Sequence, residues 1–172
     1  MEVTTQCDGT RGRTAGFFLP LYGTTQCIYN SRKKSHTMFE FHRNERARQL
    51  RPSLSRSWLL VRANSSEEVF EEAFESEADS IIIDLEDGCP AEEKDAAREQ
   101  VVRMLNSGVV AWVRINAITT EHWWKDVKAL KNVKGLRGVM LATAEPATDL
   151  ARTAAELPPR TPIIAQIASA LG

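Results

Sequence analysis

"SIIIDLEDGCP", residues 80–90, runs four apolar side chains into three carboxylates, a glycine and a proline. A short apolar run bounded in this way reads as a buried strand. The acids at its end, Asp84, Glu86 and Asp87, then face either water or a site that needs them. Side chains alternate along a strand, so Ile82, Asp84 and Glu86 share one face and Ile81, Ile83 and Leu85 the other.

The segments on either side supply the context. "SWLLVRA" (57–63) reads as a strand and "SSEEVFEEAFES" (65–76) as a helix capped by Ser65 or Ser66, with early acids that suit the helix dipole. Pro90 opens a second helix, "PAEEKDAAREQVVRMLNSG" (90–108), with Ala97, Val101, Met104 and Leu105 on one face and Gly108 as its stop. A strand "VVAWVRIN" (109–116), a helix "TEHWWKDVKALKN" (120–132) capped by Thr119 or Thr120, a strand "LRGVMLAT" (136–143), a helix "PATDLARTAAEL" (146–157) and a strand "TPIIAQIAS" (161–169) follow. Strand and helix alternate throughout, and the strands are nearly continuous in apolar residues. That pattern means parallel pairing with right-handed crossovers, in a doubly wound sheet or a (β/α) barrel. No glycine-rich phosphate loop follows the first strand, which favours the barrel.

In a barrel the functional groups gather at the C-terminal ends of the strands. Parity puts Trp112, Arg114 and Asn116 on one face of their strand, so Arg114 turns toward the same mouth as Asp84 and Glu86. A partly shielded guanidinium beside carboxylates suits the gripping of a small carboxylate or acyl group. The same spacing equally fits a structural ion pair between Asp84 and Arg114 on neighbouring strands.

The chain has 172 residues, 42% hydrophobic and 26% charged, enough for one globular domain with a core. Its net charge of −1 excludes the basic excess of a general nucleic-acid binder. The charge is uneven: residues 1–55 carry nine Lys/Arg against four Asp/Glu, and residues 56–172 carry thirteen against nineteen. The first segment lacks a sustained period and mixes arginine with serine. Three readings stand for it: a disordered extension, an organelle-targeting segment, or a basic arm for an anionic partner. Glu2, Asp8, Glu40 and Glu45 count against targeting. His36 and His42 within it read as ordinary surface residues. Cys7, Cys27 and Cys89 are far apart and in no CxxC spacing, so neither a disulfide framework nor a zinc site is expected. No apolar run reaches the length of a membrane span. The chain reads as cytoplasmic or mitochondrial, not secreted.

"RSWLLVRA", "ADSIIIDLEDGCPAEEKDAAR", "VVAWVRIN", "TTEHWWKDVKAL" and "LRGVMLATAE" together resemble successive blocks of the citrate lyase beta subunit family, within the HpcH/HpaI aldolase superfamily. The most specific piece is "DLEDG" with Lys94, Ala97 and Arg98 downstream, followed by "VRIN". The resemblance covers residues 56–172 and implies a TIM-type barrel. It also implies the making or breaking of a carbon–carbon bond beside an acyl-coenzyme A thioester or a 2-oxo acid, with magnesium and an arginine stabilising an enolate. By the same resemblance Arg114 grips the substrate with Asp84 and Asn116 beside it. Glu86 and Asp87 border the site as catalytic acids or partners of metal-bound water. Two positions depart from the pattern. Ala142 and Thr143 stand where the family usually has proline and lysine, and Ala168, next to Ser169, stands where it has a metal-binding glutamate. Gln166 is not an evident substitute, so the resemblance implies weak magnesium binding at most.

The expected architecture is therefore α/β: a partial TIM-type barrel of about five parallel strands and four helices, behind an irregular N-terminal extension. Residues 56–172 amount to roughly half of a full barrel of about 250 residues. The apolar edges of the first and last strands invite another chain, in an oligomer or with a partner. Truncated gene product, fragment and assembly partner all remain open. The expected ligand is a small-molecule carboxylate or an acyl-coenzyme A, with no nucleic acid and no membrane. A non-catalytic binding or assembly module derived from the same family is the alternative to a lyase. Trp123 and Trp124 read as core or rim packing, His122 as a surface residue, and Cys89 as lacking a general base.

Overall fold

The computed structural model describes residues 50–170. The expectations for the N-terminal segment, including His36 and His42, lie outside the described residues except at positions 50–55, where Pro52–Leu54 form one 3₁₀ turn. Arg137 donates to the Leu50 carbonyl at 2.9 Å and ties this entry to the sheet.

Five strands alternate with four helices: β1 (Trp58–Arg62), α1 (Glu67–Glu75), β2 (Ser80–Asp84), α2 (Lys94–Asn106), β3 (Ala111–Ile115), α3 (Glu121–Leu130), β4 (Leu136–Leu141), α4 (Ala147–Glu156) and β5 (Ile163–Ala165). The strands form one parallel sheet in the order β1-β2-β3-β4-β5. This is the expected partial (β/α) barrel, with β1 and β5 as its edges among the described residues.

The helix starts follow from local chemistry. Ser66 and Thr120 hold extended backbone as the N-caps of α1 and α3. Pro90 does not open α2 directly. A 3₁₀ turn, Ala91–Glu93, comes between them, because the proline's extended ψ of 147° delays the helix. Gly108 carries φ +110° two residues beyond α2, a conformation that a Cβ makes costly.

All five residues of β2 and of β3 are buried, as expected for central parallel strands covered on both faces. Ile81, Ile83, Leu85, Val113, Ile115 and Leu141 pack against Phe70, Phe74, Val101, Met104, Leu105 and Leu130 of the helices. Each such side chain contributes about 1.5–3 kcal/mol relative to exposure. On the opposite face Trp58 meets Trp112 edge-on, centroids 5.4 Å apart. Gly138 makes room there, since a Cβ on it would lie 2.3 Å from the Trp112 ring. The β3–β4 register shifts at Ala111/Trp112, beside this notch.

The strands are shorter than their apolar runs. β2 ends at Asp84, so Glu86 and Asp87 sit in a turn and the strand parity that grouped Glu86 with Asp84 does not govern it. β5 keeps three residues of the nine expected because it pairs only with β4. Leu59 and Leu60 on the β1 edge are 37% and 46% exposed. No helix among the described residues is long and apolar enough to cross a membrane.

Candidate functional site

The register lines up one row of residues across the whole sheet. Arg62 lies opposite Asp84, Asp84 opposite Arg114, Arg114 opposite Met140, and Met140 opposite Ile164. The row sits at the C-terminal ends of the strands, where barrel folds place their chemistry. Its polar part is the alternation Arg62, Asp84, Arg114.

At its centre Asp84 and Arg114 form a two-pronged pair. Arg114 Nε donates to Asp84 Oδ1 at 2.7 Å and Nη2 to Oδ2 at 2.6 Å. The backbone N–H of Glu86 reaches Oδ1 at 2.9 Å and that of Gly88 reaches Oδ2 at 2.8 Å. Each Asp84 oxygen therefore takes one guanidinium N–H and one backbone N–H, so the carboxylate both orients Arg114 and shapes the turn after β2. Burial alone would raise the Asp84 carboxyl, but the Arg114 and backbone donors more than offset it and hold it below the usual range. Arg114, paired with Asp84, is held above its ordinary value.

The remaining edge of Arg114 is held more loosely. Nη1 lies 3.2 Å from Glu86 Oε2 and donates to Gln166 Oε1 at 3.4 Å. Burial, with Asp87 alongside, raises the Glu86 carboxyl despite the nearby arginine. Asp87 is exposed at the rim. Gly88 is required in this turn, because a Cβ there would lie 2.4 Å from Asp84 Oδ2.

Beneath the mouth runs a second polar network, in which Lys94, Asn116, Asp126 and Arg98 are buried and Asp95 is exposed. Lys94, at the start of α2, gives Nζ hydrogen bonds to the carbonyls of Leu85 at 2.5 Å and Glu86 at 2.7 Å and to Asn116 Oδ1 at 2.8 Å. Asn116 Nδ2 donates to Asp126 Oδ2 at 2.6 Å and to the Leu85 carbonyl at 3.0 Å. Asp126 Oδ1 accepts from Arg98 Nε at 2.8 Å, and Arg98 Nη1 reaches Asp95 at 2.6 Å. Asn116, expected at the substrate, thus spends its amide inside the protein.

Asp126 and Arg62 were not singled out by sequence reasoning. For Asp126 a signal existed: it shares the buried stripe of α3 with Trp123, Val127 and Leu130, and an acid on such a stripe needs a partner. Arg62 carried no signal beyond its place at a strand end.

Among the described residues no three His, Cys, Asp or Glu side chains are grouped to hold a metal ion. Glu86 faces Arg114 instead, and Ala168 presents a methyl group on the exposed segment after β5. This donor set does not fit magnesium. Next to Ala168, Ser169 Oγ donates to Glu145 Oε1 at 2.7 Å. Thr143, after β4, holds φ +46°, a strained conformation for a β-branched residue.

The other conspicuous residues have packing roles. Trp123 is buried and donates to Thr153 Oγ1 at 3.2 Å, while Trp124 lies on the surface under Lys128. His122, expected at the surface, is half-buried: its side chain is 17% exposed and its Nδ1 is buried. Cys89 is buried, and burial raises its thiol.

A sequence profile of the HpcH/HpaI aldolase/citrate lyase family matches residues 56–172. Among solved structures the chain is similar to RipC from Yersinia pestis, at 27% identity and TM-score 0.55, over 69% of this chain and 49% of that one. It is similar to the citrate lyase beta subunit from Mycobacterium tuberculosis complexed with oxaloacetate and magnesium, at 32% identity and TM-score 0.55, over 67% and 48%. A further Mycobacterium tuberculosis structure, CitE in complex with magnesium, acetoacetate and coenzyme A, matches at 30% identity and TM-score 0.52, over 65% and 39%. The chain spans about half the length of the first two of these relatives. No curated protein sequence matches it.

Proposed function

The chain belongs to the HpcH/HpaI aldolase/citrate lyase family, and from that premise we propose that its strand-end mouth binds a small 2-oxo acid or acyl-coenzyme A thioester. Arg114 is the gripping residue. The observation that carries the reading is the division of labour on its guanidinium. Nε and Nη2 are fixed by Asp84, while Nη1 rests on a partly exposed glutamate and a long contact to Gln166. A ligand carboxylate or carbonyl oxygen replaces Glu86 on Nη1 without disturbing the Asp84 pair. Asp84 and Asn116 then act through Arg114 and the turn after β2, and Glu86 and Asp87 border the ligand.

The family's chemistry is the breaking or forming of a carbon–carbon bond through an enolate. Arg114 would place positive charge beside the developing enolate oxygen. Glu86, with its raised carboxyl, would be the proton-handling group at the mouth. The structures of two relatives contain magnesium. Because the described residues do not fit that ion, a second reading has specific support in Ala168: a binding module that keeps the anion grip and has lost lyase turnover.

The test is titration of the purified chain with oxaloacetate and with acetyl-coenzyme A, beside Arg114→Ala. Loss of one charge-assisted contact should weaken binding by about 1.5–3 kcal/mol. Equal affinities would overturn the assignment of Arg114. Magnesium calorimetry and a lyase assay on the same preparation separate the two readings, since the module gives no specific heat and no cleavage.

A further inference from the structure

Arg62 closes the β1 end of the strand-end row, and no ion pair among the described residues uses its charge. Its register partner is Asp84. Both Asp84 oxygens are already filled, by Arg114 and by the N–H groups of Glu86 and Gly88. Glu86, the next acid, faces Arg114. Among the described residues no acidic side chain pairs with Arg62, and it is exposed. Its stem crosses the turn after β2, for a Cβ on Gly88 would lie 3.1 Å from Arg62 Cγ. The aliphatic stem therefore lies against the turn that bears Glu86 and Asp87, and the register puts Arg62 in the same row as Asp84 and Arg114.

Resting on the reading of Arg114 above, we propose that Arg62 is a second anion-binding residue of the mouth and selects ligands with two anionic groups. The two arginines stand two strands apart in one row, so at about 4.8 Å per strand their Cα atoms are roughly 10 Å apart. Two long side chains from those anchors span a compact ligand held at both ends. The second group is an oxyanion, either a distal carboxylate or a phosphate of an acyl carrier.

Wild type, Arg62→Gln and Arg62→Lys are titrated with pyruvate, oxaloacetate, acetyl-coenzyme A and the phosphate-free thioester acetyl-pantetheine. Arg62→Gln should weaken a two-anion ligand by about tenfold or more, leave pyruvate and acetyl-pantetheine unchanged, and be largely rescued in Arg62→Lys. A loss confined to oxaloacetate identifies the carboxylate, and a loss confined to acetyl-coenzyme A identifies the phosphate. Equal loss for all four ligands, or no loss for any, overturns the inference while leaving Arg114 in place. Failure of wild type to bind any of them overturns the reading of the mouth and this inference with it.

Discussion

Replacing Asp84 with asparagine keeps the shape of the side chain and removes its charge. Each Asp84 oxygen takes one guanidinium N–H and one backbone N–H, at 2.6–2.9 Å. In either orientation of the new amide its NH₂ group faces two donors, so two hydrogen bonds are lost and Arg114 is left buried without its carboxylate. Breaking a buried pair from one side typically costs about 3–5 kcal/mol. Glu86, 3.2 Å from Nη1, partly compensates, which places the expected loss near the lower end, about 3 kcal/mol. Against a total stability of about 5–15 kcal/mol this is a large fraction. Urea unfolding at neutral pH, followed by circular dichroism, should show the midpoint falling by about 1–2 M at an ordinary slope. Asp84→Asn combined with Arg114→Gln should recover part of the loss, because the second change removes the stranded charge. A loss under about 1 kcal/mol, or strict additivity of the two changes, would refute the account of this pair.

Asp126→Ala should cost about 3–5 kcal/mol by the same denaturation measurement, since it strands Arg98 and removes the acceptor for Asn116. Gly138→Ala should destabilise by about 1–3 kcal/mol, read as a lower thermal midpoint, because the added methyl meets the Trp112 ring and the Pro162 carbonyl. The pH dependence has opposite signs at neighbouring acids. The carboxyl of Asp84 is held below its ordinary 3.8, so its contribution is present above that value and is lost as pH falls through the depressed one; acid titration of Asp84→Asn should lack this component. The carboxyl of Glu86 is raised above 4.5, so ionising it costs stability as pH rises through the window above that value, and Glu86→Gln should flatten this part of the profile. The same variant should bind oxaloacetate more tightly than wild type at neutral pH, because the competing carboxylate on Arg114 is gone.

The alternation of strands and helices was legible because parallel strands buried on both faces must be apolar throughout, as β2 and β3 are. Strand ends were less so. "SIIIDLED" looks like one strand, but Asp84 binds the N–H groups of Glu86 and Gly88 and turns the chain at once. Periodicity contains no information about such a bond. The pairing of Asp84 with Arg114 was visible as one of two alternatives, since both fall at the end of adjacent strands on one face. What lies beneath was hidden, because Arg98 and Asp126 find each other across two helices, Lys94 joins them only through Asn116, and no spacing within either helix predicts the match. The charges on the buried stripes of α2 and α3 were the available sign.

Lys94 has a kinetic consequence. Its ammonium satisfies all three of its donors on the Leu85 and Glu86 carbonyls and Asn116, so the turn bearing Glu86 and Asp87 is fastened to the first residue of α2. A turn fastened in this way cannot swing aside as a lid without stranding a buried positive charge. Ligand entry at this mouth should then be a single bimolecular step: observed association rates rise linearly with ligand concentration and show no plateau from a slow rearrangement. Lys94→Met, which keeps the length of the stem and removes the fastening, should introduce that plateau.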